Sequence, residues 1–169
     1  MRFIRRKFAI FDPTKIRFFL EDNEKYADLI FAPHELRLRR GAKGGVEVWA
    51  PTRRAWLVLT PEEEVRRRVV RHLMVRLAVP ATHIIEEYPV RLNGQPQRAD
   101  IVVVDMEMRP WLVVECKAPE VTINQSIIDQ VVRYNSILGA RQVVVTNGKV
   151  VAAYTRTKSG LYERVDFPL

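Results

Sequence analysis

Two short segments hold residue types suited to phosphodiester chemistry: Arg98-Ala-Asp100, and Val113-Val-Glu115-Cys-Lys117. Side chains alternate along a strand, so Glu115 and Lys117 share one face while Cys116 points to the other. If 98–105 and 110–117 pair as a hairpin through the loop 106–109, Asp105 faces Pro110 at the closing end and Asp100 lies directly opposite Glu115. Cross-strand partners have Cβ atoms about 4.5–5.5 Å apart, and like charges placed there repel. A cation resolves the conflict. Hard divalent ions, Mg²⁺ or Mn²⁺, take carboxylate, carbonyl and water oxygens, so Asp100, Glu115 and the backbone carbonyl of Cys116 form a candidate ligand set. Lys117 then offers an ammonium to a phosphate oxygen or an attacking water, which is the equipment of metal-assisted phosphodiester hydrolysis. The alternative is structural, with Lys117 and Arg98 satisfying the two carboxylates as a salt-bridge network.

The elements that must position these groups are legible in outline. Residues 46–59 read as two short strands around Pro51 to Arg54. Thr60 as N-cap, Pro61, and the acids Glu62, Glu63 and Glu64 start a helix. Val65, Val69, Leu73 and Leu77 carry it to about Ala78, ahead of Pro80. Its other face carries Arg66, Arg67, Arg68 and Arg71, which either face phosphates or pair with the acidic first turn. Strands follow at 83–91 and 98–105, joined at Asn93-Gly94, and at 111–116. A second helix over 122–138 is capped by Thr122 and closed by Gly139, with Ile123, Ile127, Val131, Tyr134 and Leu138 on one stripe. Strands at 141–146 and 149–154 flank Asn147-Gly148. On the second helix Gln130 and Tyr134 are i,i+4 neighbours, and Gln130 follows Ile127 by three on the apolar stripe. A buried amide needs partners. The carboxylate and lysine cluster is the nearest candidate for Gln130, whereas Tyr134 reads equally as a core aromatic.

This order implies an α+β domain with a mixed sheet, three antiparallel strands plus the strands that follow, flanked by helices. Residues 1–60 form a basic amino-terminal extension with short strands, and 61–169 the core. Of the 169 residues, 28 are Lys or Arg and 20 Asp or Glu, a net charge of +8. Residues 1–60 hold 13 basic and 7 acidic residues, so most of the excess lies ahead of the presumed chemistry. Its clusters are Arg2, Arg5, Arg6 and Lys7, then Arg37, Arg39, Arg40 and Lys43. Such a surplus suits a polyanionic partner. The second cluster and Arg98 are therefore the candidate nucleic-acid-binding residues, with a solvated face as the plain alternative.

Taken together, Asp100, Glu115-Cys116-Lys117 and the Q-x-x-x-Y of Gln130 to Tyr134 resemble the PD-(D/E)xK nucleases, in particular their RecB-like branch. More closely, Leu59 to Arg66, Arg98 to Val103, Leu112 to Pro119, the Gln130/Tyr134 pair and Val145 to Gly148 resemble the amino-terminal nuclease-type domain of type I restriction-enzyme R subunits, over about residues 30–155. The resemblance implies a restriction-endonuclease-like core and a Mg²⁺- or Mn²⁺-dependent DNA endonuclease. It implies Asp100 and Glu115 as metal ligands, Lys117 as catalytic lysine and Gln130 in support. Ala99 stands where the family pattern has Pro. The family's first helix supplies an acid near the metal, which Glu63 matches, although Thr60-Pro-Glu-Glu63 is also a capping box. Glu63 and Tyr134 are accessory on this basis.

R subunits couple their nuclease to an ATP-driven motor, and no G-x-x-x-x-G-K-[ST] loop occurs here. The expectation is a stand-alone nuclease, a component acting with a separate motor or specificity protein, or a non-catalytic module that binds nucleic acid or a partner. His34, His72 and His83 show no zinc-ligand spacing. A single cysteine, the lack of an amino-terminal apolar segment and the lack of any membrane-length apolar run imply a cytoplasmic protein without membrane association.

Overall fold

Alternating valine-rich segments and two capped helical segments build two sheets and a pair of helices. The computed structural model describes residues 29–31, 36–42 and 44–168. Lys43, His34 and the cluster Arg2, Arg5, Arg6 and Lys7 lie outside the described residues. Among those residues, the strands are β1 (Leu38–Arg40), β2 (Val46–Ala50), β3 (Ala55–Val58), β4 (Ile84–Leu92), β5 (Gln95–Val104), β6 (Pro110–Cys116), β7 (Gln142–Thr146), β8 (Val151–Arg156) and β9 (Tyr162–Val165). The helices are α1 (Pro61–Val75) and α2 (Gln125–Leu138). Strands β1–β3 form an antiparallel sheet, and β4–β9 a six-stranded sheet in sequence order. Only the β6–β7 pair is parallel, the crossover being α2. The fold is thus α+β with a mixed sheet.

The large sheet is covered on both faces. Val65, Val69 and Leu73 of α1 pack with Ile101, Val103, Leu112, Val114 and Cys116. Ile127, Val131 and Tyr134 of α2 pack with Val102, Val104, Val113, Val143 and Val145 on the opposite face. Burial on both faces explains why β5 and β6 read as continuous apolar runs rather than alternating ones.

Several boundaries differ from the sequence expectation, and three of them have a clear local reason. Helix α1 stops at Val75 rather than near Ala78, because Ala78 adopts a left-handed φ of 53° and the Val79 N–H closes back on Leu73. Helix α2 is capped by Asn124, not Thr122. The Asn124 side chain accepts from Ile127 N–H, and the preceding loop is pinned by Asn147, whose amide donates to the Val121 carbonyl at 2.8 Å. At the β5–β6 turn, Val104 and not Asp105 faces Pro110, and a bulge at this end absorbs Trp111. Asp105 instead accepts the N–H groups of Glu107 and Arg109. Strands β1 and β9 have no counterpart in the sequence reading. Gly148, with φ of 82°, passes beneath Leu29 so closely that a Cβ there would lie 2.6 Å from a Leu29 methyl.

Candidate active site

Past the bulge, Ile101 pairs with Val114, and the next step of the ladder sets Asp100 opposite Glu115. Cys116 N–H donates to Asp100 Oδ2 at 2.6 Å, which ties the two strands at this point. The Cys116 side chain is buried against α1, on the other face from Glu115, and burial pushes its thiol far up, so it is no nucleophile. Lys117 leaves the strand with its N–H on the Thr146 carbonyl, and its ammonium donates to Glu115 Oε1 at 2.7 Å.

Helix α2 reaches the same oxygen. Gln130 Nε2 donates to Glu115 Oε1 at 2.9 Å and to the Tyr134 hydroxyl at 2.9 Å. The part-buried amide has found the carboxylate as its partner, and Tyr134, a core aromatic by its ring, orients that amide through its hydroxyl. The other oxygen, Glu115 Oε2, is buried and has no hydrogen-bond partner among the described residues.

Helix α1 supplies the remainder. Arg66, not named as a site residue from sequence, donates from Nη2 to Asp100 Oδ1 at 2.8 Å and from Nη1 to Glu87 Oε1 at 2.8 Å and Glu63 Oε2 at 3.1 Å. Glu63 is half of a capping box. Its N–H bonds Thr60 Oγ1, while its carboxylate turns away to Arg66 and Arg67. Glu62 is the first-turn acid electrostatically coupled to Asp100 and Lys117. Glu87 was also missed: its φ of 54° in mid-strand, opposite Asp100, turns the carboxylate toward Arg66. Arg98 is 70 % exposed at its side chain and pairs with Glu87 Oε2 at 3.2 Å.

The basic cluster lies elsewhere. Arg37 precedes β1 and stacks on both Trp49 and Trp56, while Arg39 stacks on Trp56 and pairs with Glu47 at 2.6 Å. Arg40 is exposed at the end of β1. These side chains belong to the small sheet and not to the group around Glu115.

Burial first, and the Asp100 charge second, push the Glu115 carboxyl up to about 7. Burial also raises Asp100, against the opposing pull of Arg66. On Lys117 burial acts downward, but the hydrogen bond and charge of Glu115 prevail, so it remains an ammonium. In the unfolded chain Glu115 releases its proton near 4.5. The folded protein therefore binds more protons between that value and about 7, and the associated stability, complete below the lower value, is lost as pH rises to the upper. Thermal unfolding of the metal-free protein should thus show a falling Tm across this window, with a flatter profile in Glu115→Gln. A Tm that rises with pH would contradict the assignment.

No set of three His, Cys, Asp or Glu side chains among the described residues is gathered closely enough to hold a metal ion unaided. The residues nevertheless fit a hard divalent ion: two opposed carboxylates, one with an orphaned buried oxygen, are the donor set that Mg²⁺ takes when waters and substrate phosphate complete its shell.

A family described as type I restriction enzyme R protein N terminus has a model that matches residues 61–167. Among solved structures, a fragment assigned to an HsdR subunit of a type I restriction enzyme from Vibrio vulnificus YJ016 is similar, with a TM-score of 0.50 and 23 % identity over 65 % of this chain and 24 % of that one. The likeness is one of fold, and this chain spans about a quarter of that structure's length. No curated protein matches the chain.

Proposed function

The chain belongs to the type I restriction enzyme R protein N-terminal family, and on that premise we propose that it is a Mg²⁺- or Mn²⁺-dependent endonuclease that hydrolyses DNA phosphodiester bonds. The observation that carries this reading is the buried, unpartnered Glu115 Oε2 beside Asp100, with the Lys117 ammonium 2.7 Å from the other Glu115 oxygen. Asp100, Glu115 and the Cys116 carbonyl would hold the ion, which when bound supplies a Lewis acid and an activated water.

The chain's own side chains do the rest. Gln130 holds Glu115 Oε1, which leaves Oε2 for the ion. Lys117, 20 % exposed at its side chain, projects an N–H donor toward solvent, where it stabilises charge on a phosphate oxygen. Arg98, exposed at the rim, and the arginines Arg37, Arg39 and Arg40 on the small sheet contact the DNA backbone. The family also supports action beside a separate motor or specificity protein.

A binding module of the same fold, without catalysis, is the second reading. It is favoured by the exposed Arg37 and Arg39 held against Trp49 and Trp56, a basic and aromatic surface suited to nucleic acid. Titrating Mg²⁺ and Mn²⁺ against supercoiled plasmid separates the two. The nuclease gives nicked and linear product only with the ion and none with EDTA. Salt-sensitive DNA binding with no cleavage at any ion concentration would replace it with the module.

A further inference from the structure

Arg66 has no part in the catalytic reading above, yet it is the most heavily engaged cation of the cluster. Resting on that reading, we infer that Arg66 is the resident counter-cation of the site: it neutralises Asp100 in the metal-free protein and gives Asp100 up, keeping Glu63 and Glu87, when a divalent ion arrives.

The Arg66 side chain is 8 % exposed, and its guanidinium divides four carboxylates between its two terminal nitrogens. Nη1 holds Glu87 at 2.8 Å and Glu63 at 3.1 Å. Nη2 holds Asp100 at 2.8 Å and Glu62 at 3.3 Å. Asp100 Oδ2 is committed to the Cys116 N–H, so Oδ1, the oxygen Arg66 holds, is the one a second cation contests. A doubly charged ion and a guanidinium repel at such range in a poorly solvated site. Arginine does not relieve that repulsion by losing a proton. It must move, and Nη1 already has two anions that let it do so without becoming a buried unpaired charge.

The arrangement also explains how two opposed carboxylates coexist before an ion binds. Arg66 compensates Asp100, Lys117 compensates one oxygen of Glu115, and Glu115 Oε2 is left over. Glu115 Oε2 is therefore the oxygen an ion can take without displacing a resident cation, while Asp100 Oδ1 is the one it must contest with Arg66.

The test is Mn²⁺ binding to the full chain by calorimetry, with wild type, Asp100→Asn, Glu87→Gln, Arg66→Gln and the Glu87→Gln/Arg66→Gln pair. Arg66→Gln should bind Mn²⁺ more tightly than wild type, because the competing cation is gone. Glu87→Gln removes the anion that receives Arg66 and should weaken binding roughly 3- to 100-fold, the span of coupling between neighbouring groups. In the Arg66→Gln background the same change should do little. Should Arg66→Gln fail to fold, the ¹⁵Nε resonance of Arg66 in the wild type carries the test, and it should shift during a Mg²⁺ titration. Asp100-dependent ion binding with a Glu87→Gln effect equal in both backgrounds, weaker binding by Arg66→Gln, or a stationary Arg66 resonance overturns the role given to Arg66 alone. Absence of ion binding, or binding indifferent to Asp100→Asn, overturns the metal-site reading and this inference with it.

Discussion

Lys117→Ala should lower metal-dependent plasmid cleavage by about 100- to 1,000-fold, the usual loss when one preorganised donor to a developing negative charge is removed, while Mn²⁺ affinity stays within a few-fold of wild type. The division follows from where the ammonium sits. It touches Glu115 Oε1, an oxygen that Gln130 also holds, and leaves Glu115 Oε2 and Asp100 untouched. Removing it therefore deletes a donor to the phosphate without dismantling the carboxylate pair. A second readout guards against a merely structural explanation. A collapsed site would also lose its ion, so unchanged Mn²⁺ affinity beside the lowered rate assigns the loss to the missing donor. Cleavage within about tenfold of wild type, or a lowered rate accompanied by lost Mn²⁺ binding, would remove Lys117 from the reaction.

The pairing of Asp100 with Glu115 was legible in the sequence, but through a compensation that counting alone does not reveal. A four-residue loop closed by Asp105 and Pro110 gives the right register deeper in the hairpin. The chain reaches that register differently, closing Val104 on Pro110 and then spending Trp111 in a bulge. Asp105 leaves the ladder because its carboxylate satisfies the turn's own N–H groups at Glu107 and Arg109. Had the bulge been absent, Asp100 would face Val114 and no carboxylate pair would form. Gln130 was legible for a sounder reason: an amide on an apolar stripe, half-buried against the sheet, needs a partner, and it found Glu115.

What the sequence hid lies on α1 and β4. Arg66, Arg67 and Arg68 looked like one charged face, and the i,i+4 pairing expected of them holds, with partners Glu62, Glu63 and Glu64. Periodicity does not report that all three are buried, Arg66 and Arg67 on carboxylates of the large sheet and Arg68 on the Phe31 carbonyl. Nor does it choose between adjacent acids: Glu63 fits the capping pattern and the family pattern, yet its carboxylate is taken by arginines, and Glu62 is the one that feels Asp100. Glu87 had no local signal, since its place depends on a left-handed residue inside a strand. The Arg37 and Arg39 cluster read as a charge run, and only the strand pairing that brings Trp49 and Trp56 together shows what holds those side chains.

The buried arginines carry the largest expected stability effect in the molecule. Arg67, with 2 % of its side chain exposed, is ion-paired to Glu63 at 2.7 Å and to Glu86, whose side chain is wholly buried on β4. Glu86 also accepts from Thr52 in the turn between β2 and β3, so one guanidinium links α1, the large sheet and the small one. Replacing such a pair by apolar groups can be neutral, but removing one partner leaves uncompensated charge in the interior and costs about 3–5 kcal/mol. Arg67→Ala should therefore lower Tm by roughly 6–20 °C in a chain of this size, measured by calorimetry at neutral pH. Arg98→Ala, which breaks a pair at the exposed rim, should change stability by no more than about 1 kcal/mol. The deficit in Arg67→Ala should shrink as pH falls, because Glu86 and Glu63 escape it by taking up protons. A loss below about 1 kcal/mol, or one independent of pH, would mean that Glu86 and Glu63 find other partners and that Arg67 is not what joins the helix to both sheets.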